Sequence, residues 1–158
     1  MLALLFNLGG ERYALEARSV IEVIPAVPLR PLPQAPPFIT GLLAHRGDVV
    51  PIVDLRQLIR QEPSLRRLSS RIILVHCPLE SPPPYPLLGL LAEQVTDAIP
   101  IPQDQLKADH ITLRDAPYLG KIALQNGTLI QFIRLERILS KTVRDNLFHP
   151  SARTSAPS

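Results

Sequence analysis

Proline is the residue that most restricts how this chain can fold, because eighteen prolines are spread over its 158 residues. A proline has no backbone N–H, and its ring clashes with the preceding turn of a helix, so long helices have little room. Residues 25–37 hold six of these prolines and residues 78–86 hold five. Short runs of Leu, Ile and Val lie between such segments. The pattern favours an all-β protein with many short strands and a few short helices over a helical bundle.

The apolar runs are bounded by turn signals, as is typical of β-proteins. Gly9-Gly10 ends the first run, and Asn126-Gly127 separates the last two. An Asn-Gly pair between apolar runs is a strong hairpin signal, because both residues accept positive φ. Residues 134–148 carry apolar side chains at helical spacing and predict a closing helix. Strands are predicted at residues 2–8, 13–16, 20–24, 42–44, 49–53, 71–76, 87–91, 119–125 and 128–133.

The remaining segments are predicted to lie outside the sheets. Residues 25–37 should cross the surface as an extended segment without ladder hydrogen bonds. Residues 61–70 are polar and rich in arginine, which predicts an exposed and mobile loop. Residues 98–117 are predicted to be an irregular loop, and residues 149–158 a disordered tail. The folded unit is therefore expected to be a single domain, residues 1–148.

A short internal echo links the two halves of the chain. Residues 20–25 read VIEVIP and residues 95–100 read VTDAIP. At the same offset, residues 13–15 align with residues 88–90. Each copy combines a strand, a polar break and a second strand that carries one carboxylate before a proline. The echo is either a chance match or a true repeat, and a true repeat predicts two similar β lobes packed together.

Composition weighs against several classes of function. Acidic and basic residues balance up to Ile133, and only 4% of the residues are aromatic, so no nucleic-acid surface is predicted. No apolar run reaches the ~20 residues of a membrane helix, which predicts no direct membrane insertion. The single cysteine, Cys77, allows no internal disulfide and fits a reducing compartment.

The sequence offers no recognisable set of catalytic or metal-binding residues. The four histidines are dispersed, and the His76-Cys77 pair has no companion at metal-ligand spacing. The serines lack the strand–Gly-x-Ser-x-Gly–helix setting of a nucleophile, and Gly9-Gly10 is followed by neither a helix nor a lysine. We therefore expect no enzyme activity, no cofactor and no metal.

The strand at residues 20–24 carries a single charge, Glu22. Because side chains alternate along a strand, Val20, Glu22 and Ile24 share one face, while Ile21 and Val23 share the other. We expect Ile21 and Val23 to face the interior, which leaves Glu22 in water beside apolar neighbours. One charge in an apolar patch is typical of a partner surface, although a simple edge strand would look similar.

Residues 41–59, GLLAHRGDVVPIVDLRQLI, predict a strand, a tight turn, a second strand and a capped helix. Gly47-Asp48 is predicted to reverse the chain, and the run after it is rich in β-branched residues. Asp54, followed by a glutamine three residues later, predicts a helix cap. Arg46 is a long cation beside the turn. It is either a solvated turn charge or an outward-facing contact for another protein.

These residues resemble the CheW-like adaptors of bacterial chemosensory arrays. The central motif, Gly-x-x-x-x-Arg-Gly-x-x-x-Pro-[IV]-x-Asp-Leu-Arg, stands at residues 41–56. The opening FNLGGERYALEARSVIEVI and the later LLGLLAEQVTDAI resemble two further family segments in the same order, so the likeness covers residues 4–140. The chain departs from the pattern at Ala44-His45, where the family has Asn-Leu, and at Ile133-Arg134-Leu135, where it tends to have Leu-Asp-Leu.

The resemblance implies two packed five-stranded SH3-like or OB-like β barrels with a shared core. It implies a cytoplasmic, non-enzymatic scaffold that couples the hairpin tips of chemoreceptors (methyl-accepting chemotaxis proteins) to the regulatory domain of a CheA-type histidine kinase. Flagellar chemotaxis and pilus-driven twitching both fit as outputs. The alternative is a stand-alone CheW-like regulatory domain that binds another signalling protein without a receptor. By position, the resemblance assigns receptor contacts to Val20, Glu22, Gly41 and Arg46. Asp48 is predicted as a further partner contact because it is a conspicuous surface charge at a strand end.

Overall fold

The structure, a computed structural model, describes residues 1–65, 67–77, 82–108 and 115–148. Within these residues the chain forms eleven strands and two α-helices. The strands are β1 (Leu2–Leu8), β2 (Glu11–Glu16), β3 (Val20–Pro25), β4 (Ile39–His45), β5 (Asp48–Asp54), β6 (Arg71–His76), β7 (Leu87–Ala92), β8 (Ala98–Pro100), β9 (Leu106–Ala108), β10 (Leu119–Gln125) and β11 (Thr128–Ile133). The helices are α1 (Leu55–Arg60) and α2 (Lys141–Leu147), and 3₁₀ turns span Ala17–Ser19, Gln103–Gln105 and Leu135–Arg137.

The strands form two sheets, each the basis of one lobe. The first lobe has six strands in the order β8-β1-β2-β11-β10-β9, and the second has five in the order β3-β6-β7-β5-β4. Neighbouring strands are antiparallel except β2 with β11 and β5 with β7. The predicted all-β, two-lobe architecture is confirmed. The first lobe has a sixth strand because β9 pairs with the outer edge of β10.

The two sheets repeat one topology, with strands exchanged between the halves of the chain. β1 and β2 form a hairpin in the first lobe, as β6 and β7 do in the second. The strand after each hairpin crosses over, so β3 pairs with β6 and β8 pairs with β1. A second hairpin from the opposite half, β10–β11 or β4–β5, completes each sheet. The sequence echo falls on β3 and on the segment that ends in β8, so it marks a structural repeat.

Three apolar clusters hold the lobes together. One lies within the first lobe and includes Leu5, and another lies within the second lobe and includes Ile52 and Leu74. The largest lies between the two sheets, where the rings of Phe6 and Tyr13 stack with their centroids 6.3 Å apart. Side chains alternate between these clusters along β1, since Leu5 joins one and Phe6 the other. Apolar surface is therefore buried in both lobes and at the seam between them. Its burial stabilises the fold by about 25 cal/mol per Å².

The prediction that Ile21 and Val23 face the interior is wrong. These side chains are 47% and 38% exposed, whereas Ile24 packs in the second lobe and Val20 against the cluster between the lobes. The register with β6 shifts between Val20 and Glu22, so Ile21 is the extra residue of a β-bulge. The side chains still alternate along β3, but the inner face is the one that carries Val20, Glu22 and Ile24. Glu22 can lie on the inner face at the rim of the lobe because His45 and Arg46 contact its carboxylate there.

Two segments predicted to be irregular contain strand pairing. Residues 98–117 include β8 and β9. Only the echo at residues 95–100 indicated β8, and β9 was not predicted, because three residues are too few to show a period. Residues 109–114 lie outside the described part of the chain. Residues 25–37 are not free of ladder bonds. Arg30 N lies 3.0 Å from Leu42 O and Leu42 N lies 2.7 Å from Arg30 O, so this segment covers the edge of β4.

The sequence predicts the start of α1 more accurately than the extent of α2. α1 begins after Asp54, whose carboxylate accepts hydrogen bonds from the backbone N–H of Arg56 and Gln57, which confirms the predicted cap. The closing helix is shorter than predicted, because a 3₁₀ turn precedes it and α2 begins only after Ser140. The predicted tail at residues 149–158 lies outside the described residues.

Candidate partner-binding site

The β4–β5 hairpin places Arg46 at the rim of the second lobe. His45 pairs with Asp48 at the end of the ladder, so Arg46 and Gly47 are the central turn residues, one position earlier than predicted. Their φ values are +50° and +84°, the pattern of a type I′ turn. Glycine adopts this conformation at no steric cost, whereas an arginine rarely does. The long, charged side chain of Arg46 thus stands on a backbone conformation that most residues other than glycine disfavour.

Glu22 reaches the same rim from β3. Strands β3 and β4 lie at opposite edges of the five-stranded sheet. Nevertheless, Glu22 Oε1 lies 3.3 Å from His45 Nε2, and Glu22 Oε2 lies 3.3 Å from Arg46 Nη2. The sheet therefore curls until side chains from its two edges meet. We call Glu22, His45 and Arg46 the rim triad.

The members of the rim triad differ in exposure. The side chain of His45 is 17% exposed, that of Glu22 31% and that of Arg46 75%. The guanidinium therefore points outward, as the sequence led us to expect, with one nitrogen against Glu22. Because an exposed ion pair contributes about 0–1 kcal/mol, this contact orders Arg46 more than it stabilises the fold.

Two other predicted contact residues lie close to the triad in the fold. Asp48 is exposed at the start of β5, directly across the turn from His45. Val20 is half-buried, two residues before Glu22, and packs against the cluster between the lobes. The structure thus brings Glu22, Arg46 and Asp48 together at the rim and turns Val20 towards the seam.

The fifth predicted contact residue, Gly41, lies inside the fold. It is buried in β4, and a Cβ built on it would lie 2.8 Å from both Arg30 O and Leu29 Cβ. Its missing side chain lets the proline-rich segment pack directly against β4. The position of Gly41 therefore supports the rim from within and presents no side chain to a partner.

Sequence reasoning missed His45 and the apolar part of this surface. Ile21 and Val23 are exposed on either side of Glu22 along β3, and Val49, next to Asp48 on β5, is 71% exposed. The departure from the family pattern at Ala44-His45 was the one available signal for His45. The alternation placed Ile21 and Val23 on one face, but it could not show that this face is the outer one.

Elsewhere in the described residues, the side chains that could bind a metal or act as nucleophiles are dispersed or buried. No cluster of three or more His, Cys, Asp or Glu side chains there could hold a metal ion. Burial raises the pKa of the Cys77 thiol to about 11, so the thiolate that nucleophilic chemistry requires is scarce near neutral pH. Asp54 is buried and caps α1. None of the helices described here has the length and apolar character required to cross a membrane.

Comparisons with known proteins identify the family. A family model for the CheW-like domain matches residues 2–143, so this chain belongs to the CheW-like domain family. The chain is 26% identical to the chemotaxis protein CheW of Helicobacter pylori over 137 residues, which cover 86% of this chain and 79% of that protein. It is 41% identical to protein FrzA of Myxococcus xanthus over 54 residues, 34% of each chain.

A solved structure agrees with this assignment. The crystal structure of the scaffolding protein TtCheW from Thermoanaerobacter tengcongensis matches with a TM-score of 0.75 and 26% sequence identity. The match covers 89% of this chain and 94% of that one. The fold and the family predicted from the sequence are both confirmed.

Proposed function

We propose that this chain is a non-enzymatic cytoplasmic adaptor that couples chemoreceptors to the regulatory domain of a CheA-type histidine kinase. The receptor's helical hairpin tip binds at the rim formed by Arg46, Glu22 and Asp48 and extends over the exposed Ile21 and Val23 on the outer face of β3. The names of its relatives, a chemotaxis protein and a scaffolding protein, support this role.

The observation that carries the proposal is the left-handed backbone of Arg46, with φ at +50°. This conformation costs an L-residue about 1–2 kcal/mol. An exposed ion pair such as Arg46–Glu22 returns only about 0.2–1 kcal/mol. The contact therefore does not offset the strain, and asparagine or glycine would suit the turn better. Gln34, Gln61, Gln94 and Asn126 also have positive φ, but among these non-glycine residues only Arg46 carries a charge. Backbone strain clusters at functional sites.

The apolar residues and the charges of the rim have different roles. Ile21, Val23 and Val49 expose apolar surface, and its burial supplies most of the affinity at about 25 cal/mol per Å² before the costs of association. Arg46 and Glu22 set the register of the partner and exclude partners with the wrong charge. An adaptor contact of modest area is expected to bind with micromolar affinity.

The test compares Arg46→Ala with the wild type in binding to a purified receptor cytoplasmic fragment and, separately, to the kinase regulatory domain. Loss of a central contact should weaken receptor binding about tenfold or more by calorimetry. Thermal stability should stay nearly unchanged, because alanine keeps the same left-handed turn. Arg67→Ala removes an exposed arginine from the loop after α1 and should bind the receptor fragment normally.

Two results would contradict the proposal. A large fall in melting temperature for Arg46→Ala would show that Arg46 is structural. Failure of the wild type to bind either fragment would favour a regulatory domain that works without a receptor.

A further inference from the structure

The arginine-rich loop between α1 and β6, residues 61–70, is separate from the rim. β5 runs from Asp48, at the rim, to Asp54, which caps α1, and the loop follows that helix. At about 3.3 Å per strand residue, the two ends of β5 are about 20 Å apart. A partner on the loop can therefore bind while the rim is occupied.

Hydrogen bonds hold the loop at both ends. Near α1, Ser64 N lies 2.8 Å from Asp54 Oδ2, and Ser64 Oγ lies 2.5 Å from Asp54 Oδ1. Near β6, the hydroxyl of Ser70 donates to Leu65 O and accepts from Arg67 N, both at 3.0 Å. Asp54 and Ser70 are themselves buried. The exposed part of the loop is therefore tied on either side to the interior.

The loop holds a leucine in water. Leu68 is 99% exposed, the highest value among the large apolar residues that the structure describes, and Leu65 is 46% exposed. A single exposed leucine is ordinary on a protein surface. Leu68, however, lies within a turn that the bond from Ser70 N to Arg67 O closes at 3.0 Å, so its backbone is held in place. Burial of such a side chain in a partner's pocket raises affinity about tenfold or more.

The loop also has an excess of positive charge. Residues 60–71 contain four arginines and one acidic residue, Glu62. Glu62 Oε2 lies 3.0 Å from Nη2 of Arg56, which is on α1. The charge of Glu62 is therefore offset by α1 and does not neutralise the arginines of the loop.

The described arginines of this segment have different surroundings. Arg60 lies directly against Gly9 of the first lobe. Nη1 of Arg71 donates to two carbonyl oxygens of the loop, the nearer being Leu68 O at 2.5 Å. Arg67 is exposed, and among the described residues its guanidinium meets no carboxylate. A cation without a carboxylate thus stands next to the exposed leucine in the chain.

We propose that Leu65, Arg67 and Leu68 form a second interaction surface, which binds an apolar pocket bordered by carboxylates on another protein. An acidic border complements Arg67 and excludes basic partners. A protein pocket suits this loop better than an anionic membrane, because polybasic membrane sites use about four to eight cations, whereas Arg60 and Arg71 are engaged within the fold. This inference goes beyond the proposed function and holds whether or not the rim binds a receptor.

The first experiment titrates the isotope-labelled full chain, by NMR, with a synthetic helical peptide that carries leucines on one face and glutamates beside them. The backbone amide signals of Leu65, Arg67 and Leu68 should shift. Leu68→Ser should weaken binding about tenfold or more, and Arg67→Gln about two- to fivefold, as expected for an apolar anchor and an exposed ion pair. Leu129→Ser and Arg137→Gln, which change exposed residues elsewhere, should bind as the wild type does.

Several outcomes of this titration overturn the inference. They are no binding, shifts confined to other parts of the chain, and unchanged affinity in Leu68→Ser. A peptide with glutamine in place of glutamate should bind more weakly, and equal binding removes the role of charge. Vesicles of phosphatidylglycerol and phosphatidylcholine should not bind. Vesicle binding that Leu68→Ser abolishes would show that the loop contacts lipid instead.

The second experiment places a photoreactive phenylalanine analogue at position 68 of the full chain in cells, and at position 129 as the control. Position 68 should crosslink to a protein that position 129 does not reach, at a segment that carries Asp or Glu. Arg67→Glu should remove this crosslink. A lysine in place of the partner's carboxylate should restore binding to purified Arg67→Glu. Absence of a crosslink at position 68, or a crosslink that survives Arg67→Glu, contradicts the inference.

Discussion

The β4–β5 and β10–β11 hairpins occupy equivalent places in the two lobes but have different turns. Each hairpin lies parallel to a strand from the other half of the chain, β5 to β7 and β11 to β2. Each turns through two residues with positive φ: +50° and +84° at Arg46-Gly47, and +50° and +77° at Asn126-Gly127. The backbone is nearly the same in both. Glycine follows in both turns, but only the second has a preferred residue, Asn126, at the first central position.

Under the proposed function, this difference separates a turn that serves stability from a turn that contacts a partner. Asn126-Gly127 is the pair expected when the stability of the hairpin is the only requirement, because asparagine tolerates the left-handed region. Arg46 occupies the same backbone at a cost, and its side chain is largely exposed and directed at the rim. The first-lobe hairpin therefore serves as an internal reference for the second.

The helix caps give the largest expected contrast between the two halves. The Asp54 carboxylate accepts from Arg56 N, Gln57 N, Ser64 N and Ser64 Oγ, and the residue is buried. Asp54→Ala should lower the free energy of unfolding by about 3 kcal/mol, because a cap is lost and buried donors are left unpaired. Ser140→Ala removes one exposed cap bond, to Val143 N, and should cost about 1 kcal/mol or less. Urea unfolding measures both, and equal losses would show that the second cap is not the weaker.

A smaller contrast is expected at the two glycines beside the strand irregularities. A Cβ on Gly41 would lie 2.8 Å from the backbone oxygen of Arg30, whereas one on Gly120 would lie 2.8 Å from Cγ of the flexible Arg134 side chain. Gly41→Ala should therefore destabilise by about 2 kcal/mol, since backbone must move. Gly120→Ala should cost less than about 1 kcal/mol, because the arginine side chain can rotate away. Unfolding midpoints that rank the two variants in reverse would contradict the packing of residues 25–37 on β4.

The smallest expected effect comes from exchanging the turn residues. Arg46→Asn should raise the free energy of unfolding by about 0.5–1 kcal/mol, and Asn126→Arg should lower it by a similar amount, because left-handed backbone suits asparagine. Thermal unfolding of both variants checks the signs. Arg46→Asn should also lose receptor affinity, while Asn126→Arg should not. A stabilised Arg46→Asn that binds normally would remove the case for a functional Arg46.

Much of the fold could be predicted because its signals are local. Apolar runs fixed the long strands, Asn126-Gly127 fixed a hairpin, and Asp54 fixed the start of α1. Each depends on neighbouring residues, so one sequence is enough. The motif at residues 41–56 then pointed to the family, which the comparisons bear out.

The rest depends on contacts between distant residues. The three-residue strands β8 and β9 exist because longer strands pair with them, not because of their own composition. Which face of β3 points inward depends on contacts with distant residues, since Glu22 meets His45 and Arg46 on that face. The meeting of Glu22 with His45 requires the sheet to curl, which no spacing in the sequence encodes. The strain at Arg46 is likewise visible only as a backbone angle.

The exchange of strands between the lobes has a mechanical consequence. The first half of the chain supplies β1 and β2 to one lobe and β3, β4 and β5 to the other, and the second half does the reverse. Neither half of the chain forms a whole lobe, so the two halves are intertwined. A force applied at the rim cannot separate the two halves of the chain without removing strands from both sheets. Such a force is therefore distributed over both lobes.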